Sequence, residues 1–343
     1  MENAEKKAWR IPWKGILVAL ICSAIALVLV FSKVAKPEDV LKELAVYPKG
    51  FFYGALFFVF AAWIVDGQRI GMLTRAIGKP ISWWQLALML GAANFLTLVT
   101  PFAGGGGALI VYLLYRRGIS LASGTAVVIA GGMAGQFTLS TLILALLFLV
   151  KEFPLGLAPY VGYLRWIIAG YIIILVILVF IITKSKRILH RVMQKRGPKS
   201  KSLAWLEEFR STYRFLMFRQ KRYYFACLVM ALFYYLTYYS AGFILLSGFG
   251  VFEPLLRYTI SVLFGIAPVF SPIPGGAGAS ELVVYKVLEG SLQSDALGTF
   301  IILWRTVIFY IPILLGGSVF AFLAFYLATT KRQQEIQDES ELQ

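Results

Sequence analysis

Long apolar runs leave this chain few ways to fold. They lie at 15–32, 51–70, 83–100, 106–117, 121–150, 162–183, 223–247, 255–271, 277–290 and 297–329. Most reach or approach the ~20 residues that a helix needs to cross a hydrocarbon core. Hydrophobic residues fill 59% of the 343 positions and charged residues only 15%, against roughly 25% charged in ordinary soluble domains. No water-soluble core hides that much apolar surface. The expected class is an all-α polytopic membrane protein.

The formal charge is +16, a balance that in a soluble protein would point to nucleic acid. Here the charge is local. Thr183 to Arg222 holds 13 Lys and Arg against two acids, Glu207 and Glu208. Such loops stay in the cytoplasm, so a membrane orientation and no nucleic-acid partner is expected. Cys22 and Cys227 sit in apolar runs, and the single histidine, His190, lies in the basic loop. Neither a disulfide framework, a metal site, a cofactor nor a Ser–His–Asp centre is expected. Lys6, Lys7, Arg10 and Lys14 precede the first run, which reads as a retained helix rather than a cleaved signal peptide.

Two neighbouring pairs of runs differ from the others. TPFAGGGG separates 83–100 from 106–117, and SPIPGGAG separates 255–271 from 277–290. The later member of each pair would make only ~18–21 Å of helix, too short to cross. Pro and Gly before so short a run predict a re-entrant half-helix. Charge placement requires the same. With the basic N-terminus inside, a single crossing by 83–117 would put the basic loop outside, whereas a hairpin dipping from the cytoplasmic side keeps it inside. In the second half, 255–290 dips from the outer side.

The two breaks also align without gaps. TPFAGGGGA (100–108) and SPIPGGAGA (271–279) share Pro, three glycines and the final Ala, and Gly-Thr recurs at 124–125 and 298–299. The expected fold is therefore an inverted repeat with two re-entrant broken helical hairpins, as in secondary transporters. The whole chain, 1–343, reads as one membrane domain. Residues 1–183 form the first half, with hairpin 83–117, and 223–330 the second, with hairpin 255–290. Between them, 184–222 is a basic cytoplasmic loop whose Leu203, Leu206, Phe209, Tyr213 and Leu216 recur at helical spacing. They read as an amphipathic helix on the cytoplasmic leaflet or as a plain connector. A polar cytoplasmic tail, 331–343, is expected to fray.

Each break ends where a half-helix begins, so unpaired N–H groups and a positive dipole end face the membrane interior. Pro101, Gly104, Gly105, Gly106 and Gly107 in the first, with Pro272, Pro274, Gly275, Gly276 and Gly278 in the second, are candidate substrate-binding residues. Their alternative role is to permit tight turns and close helix crossings. Neither break is a nucleotide-binding loop, since Ala follows Gly107 and Gly278 where Lys would be needed. Glu281 lies deep, where ionisable groups are costly and usually functional, or else it caps its helix. Arg305 lies ~12 Å inside its run. Its candidate partners are Glu281 and a lipid phosphate, and snorkelling is the alternative. Asn94 lines a path or bonds helices together. Asp66 and Arg257 read as interfacial, and Pro312 with Gly316-Gly317 should bend or break the last helix.

Asn94, TPFAGGGG, YLLYRRGIS (112–120), SPIPGGAGASE (271–281) and the Trp304-Arg305 pair together resemble the transmembrane region of the lysylphosphatidylglycerol synthetase/flippase family. The similarity runs from the second helix to the last. It implies a domain that moves a lipid between leaflets, with the Pro-Gly-Gly…Glu motif and the later Arg at its centre. Gly106-Gly107 and aliphatic residues stand where the synthetase-linked branch has Gly-Glu and a following Arg. No soluble aminoacyl-transfer domain is expected either, so the stand-alone branch is the closer likeness.

The expected function is translocation of a phosphate-bearing lipid, not enzymatic catalysis, in a cytoplasmic membrane with both termini inside. Rival readings are a proton- or ion-coupled transporter of a small anionic solute, and an accessory subunit handling lipid-linked precursors. A second copy of the chain or an enzyme partner fits either. In a background lacking Cys22 and Cys227, a cysteine at Ser200 should label only from the cytoplasm and one at Gln293 only from outside. Reversed accessibility would remove the orientation.

Overall fold

The computed structural model describes residues 37–100, 104–184, 201–265 and 273–341, together with Leu17, Ile21 and Ile25 of the first run. The described residues are overwhelmingly helical. The elements are α1 (Pro37–Val46), α2 (Lys49–Ala76), α3 (Trp83–Val99), α4 (Gly105–Arg116), α5 (Leu121–Leu149), α6 (Val161–Lys184), α7 (Lys201–Arg214), α8 (Lys221–Ser247), α9 (Pro254–Phe264), α10 (Ala279–Leu288), α11 (Ser294–Arg305) and α12 (Ile311–Glu341). A wide π turn, Phe215–Arg219, joins α7 to α8, and a second, Thr306–Tyr310, joins α11 to α12. Five stretches are long and apolar enough to cross a bilayer: α2, α5, α6 with the short 3-10 turn before it, α8, and the α11–α12 rod to Leu327.

The outer surface is apolar because lipid, not water, solvates it. On α6, only Val161, Ile168, Leu175 and Thr183 are buried, a single stripe at near-heptad spacing. Trp166, Ile167, Ile173 and Phe180 point outward from the same helix and are exposed. By contrast, α4, α9 and α10 have 12, 11 and 10 residues, ~15–18 Å of helix. The half-length runs expected after each break are thus short helices here. Pro101 and Pro272 lie outside the described residues, as does most of the first run.

Two apolar clusters organise the interior. One joins α3, α4, α5 and α7 with the C-terminal end of α2, the start of α8 and α12, and the other joins α8 to α11 with the N-terminal end of α2, the C-terminal end of α5 and the start of α6. Helices α2 and α8 run antiparallel along one another. Gly54 faces Ile244 near one end, and Met72 and Ala226 line one cavity near the other. They start at Lys49 and Lys221, 172 residues apart. Likewise α3 and α9 start 171 residues apart, at Trp83 and Pro254. For α5 and α11, which start at Leu121 and Ser294, the separation is 173.

Three expectations need correction. The apolar stripe of α7 does not rest on lipid. Leu203, Phe209, Tyr213 and Leu216 are buried against the protein, with the Tyr213 hydroxyl 3.2 Å from Met133 Sδ on α5. Glu208 accepts from Ser120 and Ser123 at the start of α5, which fastens the helix there. Pro312 and Gly316-Gly317 do not break the last helix, which runs through them to Glu341, so the tail continues helical. The irregularity falls one turn earlier. Proline lacks an N–H and its ring crowds the carbonyl four residues back, Ile308, and that carbonyl lies inside the π turn. Gly316 instead lets α12 press on α3, where an added Cβ would come 2.7 Å from Gly91 O. Asp66 is not a solvated charge at a helix end, because its side chain is largely buried against Arg69.

Close approach also explains part of the first glycine run. A Cβ at Gly106 would collide with Thr97 Oγ1 and stand 2.6 Å from Ala93 O on α3, whereas one at Gly107 would meet Val128 at an ordinary 3.7 Å. Gly106→Ala should therefore destabilise the fold by about 1–3 kcal/mol, and Gly107→Ala should leave it unchanged, as read by thermal unfolding in detergent.

Candidate functional site

Arg305 is the last residue of α11, ~17 Å along that helix from its start. Glu281 is the third residue of α10, at its N-terminal end. Both are 1% exposed, and Arg305 Nε stands 2.7 Å from Glu281 Oε1. The angle is off the hydrogen-bond line, so the contact is one of charge. Arg305 Nη1 donates to Gly275 O at 2.9 Å, and the guanidinium lies 4.6 Å above the Phe309 ring. Glu281 Oε2 accepts from Gly278 N–H at 2.9 Å. This is the reach-back half of a capping box; Gly278, without a side chain, cannot supply the other half.

The glycines make this geometry possible. Gly275, Gly276 and Gly278 all have positive φ, at 64°, 66° and 83°, a region that L side chains avoid. At Gly275 the need is doubled, because a Cβ there would occupy the Phe309 ring. With Gly275 in place, its carbonyl reaches Arg305 while Phe309 closes the other side. Two buried polar atoms are left over: Arg305 Nη2 and Ser280 Oγ have no hydrogen-bond partner among the described residues. Unpaired buried donors are costly and rare, so they mark a place where a further acceptor would gain.

The candidate residues from the second break thus converge: Gly275 and Gly278 hold Arg305 and Glu281, beside buried Pro274 and Gly276. The first break is built differently. Gly105 N–H already donates to Thr100 Oγ1 at 3.0 Å, and Gly104, Gly105, Gly106 and Gly107 begin α4 with no charged partner among the described residues. At each half-helix start one amide is thus engaged rather than bare: Gly105 by Thr100 of its own break, and Gly278, just before α10, by Glu281 of that helix. Asn94, half-buried on α3, makes no hydrogen bond among the described residues. The breaks are nonetheless linked, since the Pro274–Gly276 turn packs against α3.

Residues 15–316 match the family described as the lysylphosphatidylglycerol synthase TM region. The match contains both breaks, Glu281 and Arg305. The chain belongs to this family. No curated protein matches it significantly.

In this family member, sequence reasoning missed a second buried ion pair. Asp66 Oδ1 lies 2.6 Å from Arg69 Nε on α2, both side chains largely buried, and Arg69 Nη1 donates to Gly131 O on α5. A Cβ at Gly131 would come 3.1 Å from that nitrogen, and one at Gly135 would come 3.1 Å from the Tyr235 hydroxyl. The GGMAG segment (131–135) therefore makes room for a guanidinium. The signal was the opposite charges three residues apart, which share a helix face. Phe309 was missed as well, and only the folded geometry brings its ring to the site. Arg257, by contrast, stays beside the end of α8, donating to Val251 O, Phe252 O and Ser247 Oγ.

Removing one partner of a buried pair strands the other charge. Glu281→Gln, which keeps the acceptor for Gly278 N–H, should cost roughly 3–5 kcal/mol of stability. Glu281→Gln with Arg305→Met removes both charges and should recover more than half of that loss. Unfolding midpoints in detergent check this, and equal loss in single and double variants would contradict a buried ion pair.

Proposed function

We propose that this membrane protein moves a phosphate-bearing lipid between leaflets, acting as a transporter rather than an enzyme. The observation that carries the reading is the buried Glu281–Arg305 pair with one guanidinium arm, Nη2, unpartnered among the described residues. Arginine suits phosphate because its planar fork offers parallel donors. A lipid phosphate reaching the break competes with Glu281 for Arg305 and engages the free arm. Release of the phosphate restores the ion pair. The pair is then a latch, closed when empty and opened by the anionic headgroup, while the acyl tails stay in the bilayer.

We also read the two halves as an inverted repeat whose broken hairpins enter from opposite leaflets. The near-constant separations of corresponding helices support this, and so does the antiparallel packing of α2 on α8, the arrangement expected of two equivalent helices across a two-fold axis in the membrane plane. Rocking of one half against the other would present the latch alternately to the two leaflets. Both termini then lie in the cytoplasm, as the basic loop requires.

The test is lipid transfer in liposomes by the folded double variant Glu281→Gln with Arg305→Met. A fluorescent phospholipid should move between leaflets with wild-type protein and stay at the protein-free background with the variant. Wild-type rates in the folded variant would make the pair a structural brace and end the proposal.

A further inference from the structure

Arg210, half-buried on α7, donates from Nε to Ile182 O and from Nη2 to Thr183 O, each at 3.1 Å. It thereby caps the last carbonyls of α6 and holds α7 across the end of that helix. A cavity of about 360 Å³ opens beside this joint, lined by Lys184, Arg214 and Arg219 with Phe215 and Phe218. None of these three cations pairs with an acid among the described residues, and no acid lines the cavity. The nearest acid on α7, Glu208, is engaged by Ser120 and Ser123. The sequence between α6 and α7 adds further Lys and Arg and no Asp or Glu.

Further back along α6, a second hollow of about 200 Å³ lies on the outer flank of the bundle. Leu175, Val176 and Val179 form one wall and Phe137, Met133 and Met217 the other. Met217 belongs to the Phe215–Arg219 π turn that also supplies the cationic cavity. The wide turn therefore feeds both hollows, with Arg219 on the polar side and Met217 on the apolar side. Val176 and the exposed Ile173, Ile177 and Phe180 around it face lipid.

We infer that this joint is a binding site for one anionic diacyl phospholipid, its phosphate among Lys184, Arg214 and Arg219 and one acyl chain in the Leu175–Met217 groove. Charge selects an anion. The groove selects a molecule already dissolved in the hydrocarbon layer, which excludes nucleic acid or an acidic peptide. The π turn lines both hollows, and Val179 and Thr183 on α6 are one helical turn apart, so a single ligand carrying both features can reach the two. The site is separate from the Glu281–Arg305 latch, and its role is to hold the joint between the halves against the membrane surface.

Purified, delipidated full-length protein in detergent would be offered phosphatidylglycerol, phosphatidylcholine or glycerol phosphate, with bound lipid counted by native mass spectrometry. Phosphatidylglycerol should be retained preferentially. Arg214→Gln with Arg219→Gln, both exposed positions, should weaken that retention by roughly 25-fold, about five-fold per cation, with phosphatidylcholine unaffected. Val176→Trp, which fills the groove from its lipid-facing wall, should weaken it independently while the elution volume stays that of folded protein. Unchanged phosphatidylglycerol retention in the arginine variant overturns the site. Equal retention of phosphatidylcholine also overturns it, since the lipid would then be ordinary annular lipid. Displacement of phosphatidylglycerol by equimolar glycerol phosphate overturns the acyl-chain assignment, and with it the proposal.

Discussion

Burying the charge of Arg305 commits the surrounding chain to answering a fork of five N–H donors from whatever lies within reach. In water the guanidinium would be solvated at no structural cost. Inside a bundle surrounded by lipid it must be met by protein, and much of the second half's geometry answers that requirement. Gly275 turns its carbonyl toward Nη1, Phe309 offers its ring face, and Glu281 supplies the countercharge. Each condition then imposes another. Gly275 must be glycine for its positive φ and for the space of Phe309, and Glu281 must begin a helix so that its second oxygen can cap Gly278. The start of a short helix is thereby stabilised by the residue that neutralises Arg305.

Much of this was legible in the linear chain, for physical reasons that can be named. Helices show because lipid demands long uninterrupted apolar runs: 121–150 became Leu121–Leu149 and 162–183 became Val161–Lys184. The breaks show because Pro and Gly punctuate so strongly, and the Glu281–Arg305 pair because two isolated charges in apolar runs have few other partners. The stripe on α7 was legible as a stripe but not in its destination. Lipid tails and a protein interior are equally apolar, so spacing alone does not tell which one covers Phe209 and Tyr213. The π turn before Pro312 was hidden because proline announces a missing hydrogen bond without saying whether the helix bends, breaks or widens. Helix α1 was hidden for another reason: it is only 10 residues long and polar, and its place is set by packing, with the Thr299 hydroxyl 3.3 Å from Val40 O.

The glycines divide by what they do. Gly106, Gly242 and Gly316 are demanded by a neighbouring helix, each with backbone or side-chain atoms where a Cβ would stand. Gly275 and Gly278 are demanded by backbone conformation, and Gly107 by neither. A run of identical letters thus hides different constraints.

The proposed repeat sharpens one further comparison. Glu281 has Ile110 as its counterpart in the first break, so the charge pair is not duplicated along α4. Counted from the shared Gly-Thr pairs, 124–125 and 298–299, the counterpart of Arg305 on α5 is Gly131. That is the residue whose carbonyl accepts from Arg69, and Arg69 in turn is paired with Asp66. On that alignment each half would place one guanidinium, neutralised by one carboxylate, at the same register of the fifth helix or its equivalent. In the second half the arginine grows from that helix; in the first, α2 delivers it into the gap that glycine leaves. The proposed alignment would thus keep the charge position while exchanging its backbone origin. Arg69 sits within one helix face beside Asp66, three residues away, whereas Arg305 reaches across to a half-helix that begins at a capped glycine turn. The two pairs thus differ in what fixes their carboxylates.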